Sequence, residues 1–362
     1  MLLSLVSAKH APGTTTVAAL LMWAWPQVAA RQTLLVEADP AGGDVLLDMY
    51  EGAVREPEGR GLLAAAVDAR YGMQPRQILR YAMRLDGDGH RLLLPGLVDP
   101  AQVAALRDTW PELAAALAGL GGFDPPVDVI VDCGRLGSFA PPVPLIAEPD
   151  VLAIVLRPTL RDVAVAAPRI AALRESLPPP PAGPDLAAVL VGEGPYPVGR
   201  ISDFLGVPVV GGLPRDRHLA ERGLRILAER SYPRSALGRA ASSLARGFHD
   251  LLLDRSRALV AAHAARTTDA RHLPAPMAGV PELPPSQPPA PPSPPSPAPT
   301  LPPPRPLPPS MPPPQSLPPP RSLPPPRSLP PSVVAPPGGT SGQPPVLFVP
   351  DVSAARSLGM RG

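Results

Sequence analysis

The sequence predicts an α/β domain over residues 1–270, a doubly wound and mostly parallel sheet with helices on both faces, followed by a proline-rich tail. Three observations carry that reading. Short continuous apolar runs alternate with Ala/Leu-rich helical stretches, the pattern of strands buried on both faces. Several of those runs end in loops rich in Gly, Pro, Asp and Thr, where open α/β sheets place their ligands. Finally, 35 of the 61 prolines fall between Pro274 and Pro350, where no packed core is possible.

The elements follow in chain order. Met1 to Ser7 reads as a short apolar strand, and Ala8 to Thr16 as a turn. An apolar helical run covers Val17 to Trp25 and is expected to close at Pro26. Gln32 to Glu37 is a second strand running into Ala38-Asp39-Pro40-Ala41-Gly42-Gly43-Asp44, which completes a βαβ unit. Gly61 to Asp68 and Pro75 to Met83 read as short helices, Arg91 to Leu94 as a strand, and Pro100 to Leu120 as one long Ala/Leu helix. Val127 to Val131 is a strand ending in Asp132-Cys133-Gly134. Val151 to Leu156 is another, before Arg157-Pro158-Thr159 and a helix over Arg161 to Leu177. Leu186 to Val191, Val198 to Leu205 and Val207 to Gly211 read as strand, helix and strand, the last leading to Leu213-Pro214. Arg234 to Ala265 closes the domain with one or two helices. Residues 271–345 are expected to form a disordered, polyproline-II-favouring linker. In it Ser-Leu-Pro-Pro-Pro-Arg occurs at 316–321 and 322–327 and begins again at Ser328. Residues 346–362 are expected to be a short apolar and helical end segment.

Composition excludes several classes. The single cysteine, Cys133, rules out a disulfide scaffold and a cysteine-based zinc site. The apolar start is too short for a signal segment and no run is long enough to span a membrane, so a cytoplasmic protein is expected. Aromatic residues make up only 4% of the chain, so the core must be built from Ala, Leu and Val. Residues 1–272 carry 28 basic and 29 acidic side chains, a near-neutral balance that disfavours non-specific DNA binding. Of the 33 basic residues Lys9 is the only lysine. An ammonium is a compact point charge, which a guanidinium cannot imitate. His90 and His218 have no partners at metal-ligand spacing. Trp23 and Trp25 read as core or interface anchors.

A phosphate site needs backbone N–H groups at a helix start, a hydroxyl for magnesium and a cation. The segment from Lys9 to Thr16 supplies Gly13, the hydroxyls of Thr14, Thr15 and Thr16, and Lys9 itself. Asp39 and Asp132 stand at strand ends that a doubly wound sheet brings toward that loop. Each is also a good cap for the turn that follows. Glu37 is the weaker candidate, being expected to face solvent at the end of its strand.

Taken in order, these segments resemble the ParA/MinD family of deviant Walker ATPases, over about residues 1–250. Lys9-His10-Ala11-Pro12-Gly13-Thr14-Thr15-Thr16 is similar to the family's loop, with Lys9 at its signature lysine and Thr15 at the magnesium-ligand hydroxyl. Leu34 to Asp44 resembles switch I, with Asp39 at the catalytic aspartate. Val129 to Asp132 resembles the Walker B strand, and Cys133-Gly134 opens switch II. Gly206 to Val210 leading to Leu213-Pro214-Arg215-Asp216 resembles the late segment, placing Pro214 and Asp216 beside the nucleotide. The resemblance implies a P-loop NTPase-like fold, ATP with Mg²⁺, a homodimer, and metal ligation by Thr15 and Asp132. Within the family the chain looks most like actinobacterial MinD-like proteins related to the TadZ and CpaE group. That implies protein partners in a pilus, secretion or polar assembly, and at most an indirect, partner-mediated place at the inner membrane face.

The departures have consequences. Thr14 stands where the family's P-loop lysine lies, His10 and Ala11 replace glycines, and Val191-Gly192-Glu193 lacks the adenine-reading Asn. Losing that lysine removes charge from the β/γ-phosphates and implies weak hydrolysis or none. Two readings follow: a dimerising nucleotide-dependent positioning switch, or a pseudo-ATPase scaffold that localises a partner through its domain and tail.

Overall fold

The computed structural model describes residues 1–9, 13–50 and 59–270, with side chains as far as residue 261. His10, Ala11 and Pro12, and both tail segments, lie outside the described residues. The chain forms an eight-stranded sheet in the order β3-β4-β2-β5-β1-β6-β7-β8. The strands are β1 (Leu2–Ser7), β2 (Gln32–Glu37), β3 (Met83–Arg84), β4 (Arg91–Leu94), β5 (Val127–Arg135), β6 (Val151–Leu156), β7 (Asp185–Val191) and β8 (Val209–Leu213). All pair in parallel except β3, which runs antiparallel to β4 at one edge. The α-helices are α1 (Thr14–Ala29), α2 (Val45–Tyr50), α3 (Gly61–Ala69), α4 (Trp110–Gly119), α5 (Val143–Ala147), α6 (Leu160–Ser176), α7 (Val198–Leu205), α8 (Arg217–Arg222) and α9 (Ala236–Ala270). The doubly wound architecture is therefore the one the sequence predicts.

Side-chain alternation explains why the central strands are apolar throughout. In β1, Leu3 and Leu5 pack with α1 and α9, while Leu2 and Val6 pack on the opposite face with α3, α4, α5 and α6. In β6, Ala153 and Val155 join the first group and Leu152, Ile154 and Leu156 the second. Both faces of the sheet are thus dry, and each full side-chain burial contributes about 1.5–3 kcal/mol. At the amino ends of the strands, buried Asp128 accepts from the Met1 amine at 3.0 Å and from Trp25 Nε1 at 2.9 Å. Trp25 is a core anchor with its polar tip satisfied. Trp23 is half-buried, with the Arg91 guanidinium over its ring at 4.7 Å.

Prolines account for most differences from the expected boundaries. Helix α1 passes through Pro26 and ends at Ala29, with Ala30 N–H donating to the Pro26 carbonyl. Pro26 lies in the last turn, so its missing N–H costs one bond and does not break the helix. The expected helix over Pro100 to Leu120 is instead a 3-10 segment, Pro100–Thr109, followed by α4, because Pro111 sits in the first turn of a new helix. Pro75–Arg80 is also 3-10, and the chain then pairs as β3. Strand β8 starts at Val209, two residues later than expected, since Pro208 contributes only its carbonyl to the ladder. The closing helix is one piece, α9, beginning at Ala236.

Candidate functional site

The carboxyl ends of β1, β5 and β2 are neighbours in the sheet, so the loops that leave them meet. Gly13, at φ 95°, turns the chain into α1. Among the described residues no side chain caps that helix, and its first turn holds no acidic residue. Its leading N–H groups and the positive end of its dipole are therefore left to a ligand. Thr14 is buried and its Oγ1 has no partner. Thr15 and Thr16 are half-buried. The Thr15 side chain faces the Asp132 carboxylate and favours its ionised form. Asp132 also accepts from Gly134 N at 2.9 Å. Lys9 lies at the end of β1 and is exposed.

Asp39 is held against the same point. Its Oδ1 accepts from Ala41 N at 2.8 Å. Its carboxyl group occupies the space where a Cβ on Gly134 would fall, and Gly134 has φ 68°. The loops that follow β2 and β5 are therefore in direct contact. Gly134→Ala is expected to displace Asp39 and lower stability by about 1–2 kcal/mol for the left-handed backbone alone, read as a fall in the urea midpoint.

Glu37 departs from its expected solvent exposure. It is 3% exposed and lies opposite Asp132 in the β2–β5 register. Its Oε1 accepts from Asp44 N at 2.8 Å and Val45 N at 2.9 Å, and its Oε2 from Gly96 N at 3.2 Å. It thereby caps α2 from a distance and ties the Asp39–Asp44 loop to the loop after β4. Burial, partly opposed by those amides, pushes its carboxyl up to about 7. Burial also raises Asp132 to about 6, with Asp39 and Asp44 adding repulsion. The Asp44 carboxyl is raised by burial and then by Asp48 and Asp39. Cys133 is buried, and its thiol is pushed up by burial.

Pro214 and Asp216 stand apart from this cluster, after β8, three strands from β1 or about 14 Å at strand spacing. Asp216 caps α8, accepting from Leu219 N at 2.9 Å. Around it the ends of β6, β7 and β8 are knit together. Gly192 N donates to Leu213 O at 2.8 Å, and the Arg215 side chain lies over Gly192. Gly194 packs against the Pro158 carbonyl so closely that no side chain fits. His90 and His218 are exposed.

Sequence reasoning found Thr15, Asp39 and Asp132, which the structure brings together. It missed Glu37 as the anchor of the loop. The available signal was a carboxylate followed by Gly42-Gly43 and an apolar run, which marks a helix start needing a cap.

The donor set suits a magnesium nucleotide. Mg²⁺ takes hard oxygen ligands, one or two carboxylates plus phosphate oxygens. Thr15 and Asp132 offer a hydroxyl and a carboxylate already in contact, beneath an uncapped helix start that favours phosphate.

No protein-family model matches the chain, and no curated protein matches it. Solved structures do. MinD from Pyrococcus horikoshii OT3, solved with Mg-ADP, is 21% identical, covering 70% of this chain and 98% of that one, with a TM-score of 0.55. MinD from Pyrococcus furiosus is 22% identical, covering 69% and 98%, with a TM-score of 0.53. A ParA family ATPase from Chlorobium tepidum TLS is 18% identical, covering 67% and 98%, again at 0.53. The fold is that of the ParA/MinD ATPases. Among the described residues no helix is long and apolar enough to cross a membrane.

Proposed function

We propose that the chain is a ParA/MinD-like positioning protein that binds Mg-ATP at the α1 start, dimerises over it and hydrolyses it slowly or not at all. The contact between Thr15 and Asp132 at an uncapped helix start carries this reading. The MinD neighbour solved with Mg-ADP supports it. Thr15 and Asp132 would hold the metal, which neutralises charge developing on the phosphates. The first-turn amides of α1, with Gly13, Thr14 and Thr16, would receive the phosphate oxygens. Asp39, fixed against Gly134, would orient water. Lys9 would reach the phosphates, across the dimer interface by the family resemblance. Pro214 and Asp216 would border the base.

The cargo this reading implies is a protein assembly of the pilus, secretion or polar type. The chain would work in the cytoplasm and meet the membrane face only through such a partner. Calorimetric titration of the full chain with Mg-ATP, with sizing of the same sample, tests it. Binding accompanied by a doubling of mass is expected. Lys9→Ala should weaken ATP about 10- to 100-fold, the worth of one charge-assisted contact. Affinity and ATP-dependent dimerisation both unchanged from the parent in that variant would refute the switch.

One observation favours a second reading. Thr14 occupies the first position of α1 with a buried, unpartnered hydroxyl, where the family places its phosphate lysine. A pseudo-ATPase scaffold acting through the domain and tail would show no binding at millimolar ATP.

A further inference from the structure

The segment that follows Gly134 borders a small apolar pocket of about 140 Å³ at the start of α4 and α5. Arg107, Trp110, Pro111, Pro141, Val143 and Pro144 line it together with Ala140. The residue just before Ala140 is Phe139, which is 71% exposed. An apolar cavity of about 150 Å³ takes up benzene, so the pocket has the volume of one phenyl ring. Its walls suit one as well. The prolines and Val143 give rigid apolar contact. A ring entering there offers its π face to the Arg107 cation and the Trp110 indole.

The backbone around Phe139 has the form of a hinge. Leu136 N donates to Ser7 O at 2.9 Å, and Val143 N to Pro141 O at 2.8 Å, which fixes the two ends. Between them Gly137 has φ 80° and open space around it, and Ala140 has φ 49°. A left-handed backbone costs an alanine about 5- to 30-fold in population against its ordinary conformations. Because Pro141 follows, those ordinary conformations are extended. Moving Ala140 into them turns Phe139 by more than about 120° relative to Pro141 and the pocket wall. The outward arrangement also leaves the Trp110 indole N–H and the Ser138 hydroxyl buried without partners. An exposed ring, a left-handed alanine and two unpaired groups thus fall within one loop and the wall beside it.

We propose that Phe139 is a lid on this pocket, hinged at Gly137 and Ala140, with an outward form and an inward form. The outward form is the one in the structure. In the inward form the ring fills the pocket and Ala140 is released from its left-handed conformation. The inward swing removes the ring from water, which offsets the packing that Ala140 gives up. The consequence is control over what the surface displays. The outward form shows Phe139 beside the exposed Val143 as one apolar patch, and the inward form withdraws it. The loop begins at Gly134, against which Asp39 rests, and the proposal stands whether or not the chain binds ATP.

Fluorine NMR of the full chain labelled with 5-fluorotryptophan tests the lid. The resonances of Trp23, Trp25 and Trp110 are followed, with Trp110 assigned by its loss in Trp110→Phe. Ala140→Gly removes the cost of the left-handed form and should shift the balance outward by about 5- to 30-fold. Ala140→Val penalises that form further and should shift it inward. The Trp110 resonance should therefore move in opposite directions in the two variants. Trp25, in the core of the opposite sheet face, should stay in place as a check on the fold. In a Phe139→Ala background the two substitutions should no longer separate the Trp110 resonance. Should Ala140→Val not fold, a shift in Ala140→Gly that Phe139→Ala abolishes is the expected result. A Trp110 resonance that moves the same way in both variants, or in neither, would overturn the lid. So would a separation that survives Phe139→Ala, because the loop would then move without its ring entering the pocket.

Discussion

Thr14→Lys is expected to raise ATP turnover by about 10²-fold or more, the usual worth of one preorganised charge at a transition state. The position is the one at which the resemblance places a lysine. It is the first residue of α1, directly after Gly13 in its left-handed turn. Its hydroxyl has no partner to lose. The neighbouring residue Thr15 faces Asp132, on which Asp39 and Asp44 also act, so a cation added at this helix start would meet favourable potential. Without ligand the new ammonium opposes the helix dipole and should cost about 0.3–1 kcal/mol. ATP should offset that, so the variant gains more thermal stability from nucleotide than the parent does. Phosphate release by the parent, Thr14→Lys and Thr14→Lys with Asp39→Ala measures the effect. The gain should disappear in the double variant, because Asp39 would orient the water. A Thr14→Lys protein no faster than its parent would mean that the loop lacks more than a cation, and the scaffold reading would then lead.

The sheet was legible because both its faces are buried. Strands such as Val151–Leu156 are continuous apolar runs, and Val198–Leu205 was bounded by Pro197 and Gly206, a start and a stop that local chemistry dictates. Boundaries failed where proline has two opposite meanings. Pro111 starts a helix and Pro26 rides inside one, and only packing against the sheet decides between them. The short helices α2 and α8 were invisible for another reason. Six residues do not sustain a helix without tertiary support. The caps that hold them, Glu37 and Asp216, act across loops that pattern reading treats as irregular. In the candidate site, Thr15, Asp39 and Asp132 were legible as polar residues at the ends of apolar runs. That Asp39 leans on Gly134 depends on the β2–β5 register, which no local pattern carries.

Glu37→Ala should be strongly destabilising, and its effect should depend on pH with a sign opposite to that of an ordinary surface carboxylate. The substitution strands the N–H groups of Asp44, Val45 and Gly96 in a buried pocket, at about 1–3 kcal/mol each before relaxation. A loss of about 3–5 kcal/mol is expected near pH 5, where the buried carboxyl is neutral. In the fold this group sits at about 7 against an ordinary 4.5, so between those values the folded state holds a proton that the unfolded state has released. Parent stability therefore falls as pH rises through that window, by about 3 kcal/mol for Glu37. The alanine variant has no such group and escapes the fall. The gap between parent and variant should thus be widest at acid pH, narrow as pH rises toward 7 and level off above it. Asp132, raised to about 6 chiefly by burial, adds a fall of the same sign to both proteins. Urea midpoints of both at pH 5, 6, 7 and 8 without nucleotide decide the matter. A gap that widens with pH would mean that the ionised carboxylate is the form the three amides hold, and that burial weighs less here than the amides do. Either way the consequence reaches the site. Glu37 is the only side chain tying the Asp39–Asp44 loop to both α2 and Gly96 among the described residues, so its removal should free Asp39 from the position against Gly134 that water orientation would require.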